Sequence, residues 1–332
     1  MDVDQLEEIV DDAVTDRLEA IGEEACCSGL QAEIWRAGEP VWSTARGRTR
    51  LDEEGAPVTA QTPFDLASLT KPLVTATLLM QSVNHGLCGW SNRLEDIIGA
   101  WSDDPRADEV NLGHLANHTS GLPDWRALYE GLPLAPTADE VTESQRTMLE
   151  AIARTDFEAE PGERECYSDL GYILLGRALE EIWGEPLEEL AAHNVFEPLG
   201  LPSMQFSSAA RGDDPVAGAA ATEDDSMRGG VVCGRVHDRN TAAWGGVAGH
   251  AGLFATASDV ARLADHLLAI AEEREPAPDT PLVTPGTLRY AWSEEARGPG
   301  GHHLLGWDTP SGEPSSAGGP LQASDTVGHL GF

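Results

Sequence analysis

Lysine is all but missing from this chain: of its 21 basic residues one is a lysine, Lys71, and the rest are arginines. Positive charge as a whole is scarce. Against 57 acids it leaves a formal net charge of −36, which excludes the sequence-independent attraction that nucleic acids and anionic membranes exert, so neither is expected as a partner. Acid spread along the whole chain reads as a solvated surface suited to high salt, where self-repulsion is screened. A high-GC codon bias would give the same composition. Cysteine is sparse too. Cys26, Cys27, Cys88, Cys166 and Cys233 are too few and too irregular for a disulfide framework or a zinc site, and the adjacent pair fits a reducing compartment. No apolar run has membrane-spanning length. Residues 1–24 read as an acidic amphipathic helix, without the basic and apolar regions of a signal peptide. A soluble cytoplasmic protein is the expectation, with an extracytoplasmic one if the N-terminus is misassigned.

What is present is a globular composition, 41% hydrophobic, over 332 residues. That length exceeds one comfortable core and predicts two lobes. The retained lysine lies in Phe64-Asp65-Leu66-Ala67-Ser68-Leu69-Thr70-Lys71-Pro72, a Ser-x-x-Lys pattern followed by apolar residues at helical spacing. On a helix, Ser68 and Lys71 share one face about a turn apart, within hydrogen-bonding reach. Pro72 marks the helix start, where its missing N–H would have no partner in any case. Ser68 thus sits where the helix dipole favours an ionised nucleophile and a developing oxyanion. Arginine could not replace Lys71 there, because only lysine can be desolvated until its amine acts as a base.

Along the chain, Gly29–Arg36 alternates, turns at Ala37-Gly38-Glu39-Pro40 and returns through Val41, Trp42 and Thr44, which predicts a hairpin. The Ser68 helix is expected to end at His85-Gly86. Helical segments broken by turns run from Leu94 to about Pro202, among them a helix from Asp169 that stops at Gly184. Ser207 to Gly234 reads as one long polar loop. Gly245 to Phe254 reads as tight backbone leading into a strand, and Ser258 as the cap of the next helix. A last strand, carrying Val327, His329 and Gly331, begins near Asp325. The fold class expected is α/β (α+β): an antiparallel sheet built from both chain ends with flanking helices, plus an inserted all-helical lobe. The boundaries are about 1–67 and 246–332 for the α/β lobe, and 68–245 for the helical one.

Four blocks in this order resemble the serine β-lactamase and penicillin-binding-protein superfamily, on its class C β-lactamase, esterase and D-alanyl-D-alanine carboxypeptidase-like side. They are Asp65 to Lys71, His118 to Pro123, Cys166-Tyr167-Ser168-Asp169-Leu170-Gly171-Tyr172, and Gly328-His329-Leu330-Gly331-Phe332. The resemblance implies a metal-independent serine hydrolase without a cofactor, acting on a small-molecule or peptide substrate with a scissile carbonyl. It implies acylation of Ser68, proton removal by Lys71, and a proton-shuttling Tyr167. It places the oxyanion hole at the backbone N–H groups of Ser68 and Phe332, with Asp169, His329 and Gly331 contacting substrate. It also implies further strands and a helix beyond Phe332, so that the chain reads as a fragment.

Two positions depart from the pattern. Asp169 stands where the family often has asparagine, and a carboxylate beside Lys71 favours the ammonium, moving the base role toward Tyr167 or a shared proton. His329 stands where many members have lysine. Its partial charge near neutrality grips a substrate carboxylate more weakly, which tilts the reading toward an esterase-like hydrolase. His114 and His118 read as packing residues. His237, Asp238, His250 and the His302-His303 pair match no familiar metal site. A non-catalytic ligand-binding domain and a metallohydrolase are the rival readings.

Overall fold

The expected hairpin forms as two antiparallel strands, β1 (Gly29–Arg36) and β2 (Glu39–Gly47), in a computed structural model that describes residues 5, 8, 27–276, 278, 281–310 and 326–332. Ala37 and Gly38 turn the chain at φ 52° and 89°, the backbone sign that a two-residue hairpin turn requires. The N-terminal helix, Cys26 and residues 311–325, with the expected strand start at Asp325, lie outside the described residues.

Two further strand pairs are antiparallel. β3 (Phe64–Asp65) pairs with the later strand Phe254–Ala255, which sets the approach to Ser68. The Ser207–Gly234 stretch is not one loop, because β4 (Ala221–Asp225) and β5 (Gly230–Cys233) form a hairpin within it. The Asp225 carboxylate, accepting from the Met227 N–H, and Gly229 at φ 80° close that turn. Residues 326–332 make a single bridge, Gly328 to Asp308, in place of a continuous strand. The helix expected to be capped by Ser258 runs from Ala257 to Ala271. Its cap is Thr256, whose hydroxyl accepts from the Asp259 N–H. This helix packs across β1.

One apolar core holds the helices together. The segment after Ser68 contributes Leu73, Val74, Leu78, Leu79 and Met80, all at most 2% exposed. The helix Asp169–Trp183 contributes Leu170, Tyr172, Ile173, Leu174 and Leu175. Each such side chain contributes roughly 1.5–3 kcal/mol relative to exposure. Ser168 caps the Asp169 helix by accepting from the Gly171 N–H, and Gly184 ends it at φ 73°. Midway along it, backbone touches backbone: a Cβ on Gly176 would lie 2.9 Å from the Gly249 Cα, and one on Gly249 would lie 2.1 Å from the Tyr172 carbonyl oxygen.

Candidate active site

The Ser68 turn is built by polar contacts to the backbone. Ala67, next to Ser68, has φ 47°, a left-handed conformation that a residue with a Cβ rarely adopts. The Asp65 carboxylate accepts from the Ala67 N–H at 2.9 Å, and the Thr70 hydroxyl donates to the Ala67 carbonyl at 2.7 Å. Leu66 donates to the Leu253 carbonyl at 2.8 Å, tying the turn to the β3 partner strand. Ser68 lies in a short 3-10 turn, Ala67–Leu69. Lys71 opens a π-helical stretch, Lys71–Ala76, which runs on into the α-helix Thr77–Asn84. Pro72 sits in the first positions of that stretch, where its missing N–H leaves no bond unmade.

Lys71 is fully enclosed. Its Nζ donates to Ser68 Oγ at 3.0 Å and to the His250 carbonyl at 3.3 Å, and lies 2.7 Å from Asp169 Oδ1. It also lies over the Tyr167 ring, 4.8 Å from the centroid. Burial alone would lower the amine's pKa. The charge of Asp169 first, and then the hydrogen bonds to Asp169 and Tyr167, outweigh it and hold the ammonium above its ordinary value. Tyr167 bonds to the side chains of both Lys71 and Ser68. Burial pushes its phenol up, against the pull of the ammonium. At rest the site therefore holds an ammonium and a neutral phenol.

Three histidines surround Tyr167, two of them unforeseen. His118, itself at φ 60°, stacks on Tyr167 with ring centroids 4.4 Å apart, and its Nδ1 accepts from the Ser168 N–H at 3.0 Å. Burial, and then the nearby His303 and Lys71, hold it well below its ordinary value, so it is neutral. The reading of His118 as a packing residue thus holds, but what it packs is the site tyrosine. His303 lies 5.8 Å from the Tyr167 ring and 4.9 Å from that of His118, and hydrogen-bonds Asp308 at 2.8 Å. His303 stands out in the sequence only as half of the His302-His303 pair, and at 136 positions beyond Tyr167 no local spacing announces this contact.

His329 is the third, 5.9 Å from Tyr167. Its Nδ1 donates to the Leu330 carbonyl at 2.7 Å, while its Nε2 is buried without a partner. Burial brings its pKa down to about 4, against the pull of Asp308. The expectation of a partial cation near neutrality is corrected: the imidazole is uncharged there. Gly331 lies against the Ser68 turn, since a Cβ on it would meet the Leu66 carbonyl oxygen at 2.7 Å. That contact brings the strand motif beside Ser68. Phe332 is 98% exposed, and its ring stacks on His237 at 5.0 Å.

The remaining candidates are dispersed. His237 donates its N–H to Asp65 at 2.6 Å, on the carboxylate that holds the Ala67 turn. Asp238 and His250 pair at 2.9 Å behind Lys71. His114 lies off the cluster, against Asn111 at 3.3 Å, and the His302 N–H faces Glu165.

A family model described as Beta-lactamase matches residues 10–332. A protein of Escherichia coli K12 named "Putative D-alanyl-D-alanine carboxypeptidase" is 31% identical over 234 residues, or 66% of this chain and 53% of the relative. The chain thus spans about half the length of that relative. Among solved structures, the octameric penicillin-binding protein homologue of Pyrococcus abyssi aligns with a TM-score of 0.66 and 24% identity, over 93% of this chain and 65% of that one. The D-amino acid amidase of Ochrobactrum anthropi SV3 aligns with a TM-score of 0.70 and 19% identity, over 99% and 84%. At those identities the two structures speak for the fold.

Proposed function

The chain belongs to the beta-lactamase family, and on that premise we propose that it is a serine acyl-hydrolase working through an acyl-enzyme on Ser68. The observation that carries the reading is the enclosed Lys71 ammonium, 3.0 Å from Ser68 Oγ and 2.7 Å from Asp169 Oδ1. As Ser68 Oγ bonds to the substrate's carbonyl carbon, its proton passes to Lys71, while Lys71 releases one of its own to Asp169. The phenol of Tyr167 protonates the leaving group as the scissile bond breaks, and recovers a proton from the Lys71–Asp169 pair. In the second half, water bonds to the acyl carbon and gives one proton to the same relay, the acyl C–Oγ bond breaks, and the relay returns a proton to Ser68 Oγ, freeing the acid. The N–H groups of Ser68 and Phe332 receive the oxyanion. This assignment is supported by the contact of Gly331 with the Leu66 carbonyl.

An uncharged His329 offers a substrate carboxylate no cation, which favours a neutral ester or amide. A second reading, D-alanyl-D-alanine carboxypeptidase, is favoured by the name of the E. coli relative. The test is a fluorophosphonate probe followed by turnover of p-nitrophenyl acetate, nitrocefin and a D-Ala-D-Ala peptide. Ser68→Ala is expected to lose the label. Ser120→Ala and Ser168→Ala are expected to keep it, because the Ser168 hydroxyl donates to the Pro123 carbonyl at 2.6 Å and Ser120 is buried. A label that survives Ser68→Ala overturns the mechanism, and no label on the intact protein favours a ligand-binding domain.

A further inference from the structure

Away from the Ser68 cleft, a cavity of about 690 Å³ lies between the 134–138 loop, the 207–214 turn and the β4–β5 hairpin. Its walls include Leu134, Val231, Val232 and Val236, and its cations are Arg228 and Arg235. Arg228 is committed: it pairs with Asp225 at 3.1 Å and donates to the carbonyls of Val236 and His237. Arg235 is not. It is half-buried, it donates to the Ser207 hydroxyl, and among the described residues no carboxylate lies within ion-pair distance of it.

With the Ser207 hydroxyl as its one side-chain acceptor among the described residues, most of the guanidinium's five donors remain open to a ligand in the cavity. Two carboxylates do line the cavity. Asp213 accepts from the Ser208 N–H at 3.1 Å and faces Arg211 at 3.5 Å, a guanidinium that it shares with Glu189 at 2.7 Å. Asp214 is exposed at the rim, where solvent and salt screen its charge. The interior therefore presents one guanidinium without an ion-pair partner beside apolar walls, in a volume suited to a small molecule.

We propose that this cavity binds a small monocarboxylate with an apolar tail, its carboxylate on Arg235 and its tail against Val231, Val232 and Val236. A single guanidinium pairs with a carboxylate through two parallel hydrogen bonds and offers no second charge to a phosphate dianion. The site is separate from Ser68 and does not depend on the hydrolase reading.

The experiment is calorimetric titration of the whole chain at low salt with phenylacetate, and with phenylacetamide as its uncharged counterpart. Phenylacetate is expected to bind saturably, and the amide at least tenfold more weakly. Arg235→Gln is expected to raise the phenylacetate Kd tenfold or more. Val231→Asp sets a carboxylate on the wall without touching Arg235, so it decides the matter if Arg235→Gln does not fold. It is expected to do the same. Absence of phenylacetate binding to the unmodified chain, equal binding of acid and amide, or a Kd unchanged by the substitutions overturns the site.

Discussion

Lys71 Nζ and Asp169 Oδ1 stand 2.7 Å apart, with the lysine fully enclosed and the carboxylate mostly so. The pair makes the ammonium the resting state of the site. Lys71 can therefore act as a base only by passing a proton onward at the moment it receives one.

Replacing Asp169 by Asn leaves that ammonium buried and unpaired. At pH 7 the cost is expected to be about 3–5 kcal/mol, the usual penalty for breaking a buried pair. The sign with pH follows from Lys71's raised value. The pair's contribution is complete below the unfolded lysine pKa of about 10.4 and is lost as pH rises through the folded value. Urea unfolding of both proteins at pH 7 and at roughly one to two units above that unfolded value should show the gap narrowing at the higher pH. A gap that stays constant removes the pair from that role.

Tyr167→Phe deletes the phenol and keeps the ring beneath Lys71 and against His118. General acid–base loss of about 10²–10⁴-fold in kcat is expected, with little change in KM. Slow fluorophosphonate labelling of Ser68 should persist. Wild-type kcat in the variant would show that the proton travels by another route.

His329 has its pKa lowered to about 4, so it stays neutral across the neutral range. KM for a carboxylate substrate should consequently be flat between pH 5.5 and 7.5. For stability, the unfolded imidazole takes its proton near pH 6.5 and the folded one only near 4, so stability falls as pH drops through that window. His329→Gln should flatten part of that fall, while buried His118 keeps the remainder. A KM that climbs through pH 6.5 would restore the cation.

Gly306 sits against the Lys71–Ala76 stretch at φ 88°, where an added Cβ would lie 2.1 Å from that of Ala76. Gly306→Ala should cost about 1–3 kcal/mol through overpacking. Thermal unfolding within a few tenths of wild type would mean that the two segments separate freely.

Salt should also raise the melting temperature. Screening shortens from roughly 10 Å at 0.1 M to roughly 3 Å at 1 M, so most of the rise belongs at low ionic strength. Sucrose at matched osmolality should do less. Equal effects of the two would leave codon bias as the account of the acidic surface.

Ser68 and Lys71 were legible because three positions on a helical start fix their separation whatever the rest of the chain does. Asp169 was legible as a departure at a recognisable position, and its effect on Lys71 followed from charge alone. A helix end marked by a residue type suited to positive φ, such as Gly184, was readable, whereas at the start of the Ala257–Ala271 helix Thr256 and Ser258 both carry a capping hydroxyl and only geometry chooses between them. Of the histidine ring around Tyr167, only His329 was expected at the site, through the resemblance. His118, His303 and His329 meet only through tertiary packing, and no local spacing encodes that meeting. The neutrality of His329 was hidden for the same reason, since burial is a property of the assembled site.

The contact between Gly176 and Gly249 sets a mechanical limit on this site. The His250 carbonyl that receives Lys71 follows directly after Gly249, and Tyr172 lies one helical turn before Gly176. No side chain stands between those two pieces of backbone, so no rotamer change can absorb a displacement there. The enclosure around the ammonium is stiff on that side, and a shift of the Asp169 helix carries the lysine's acceptor with it as one body.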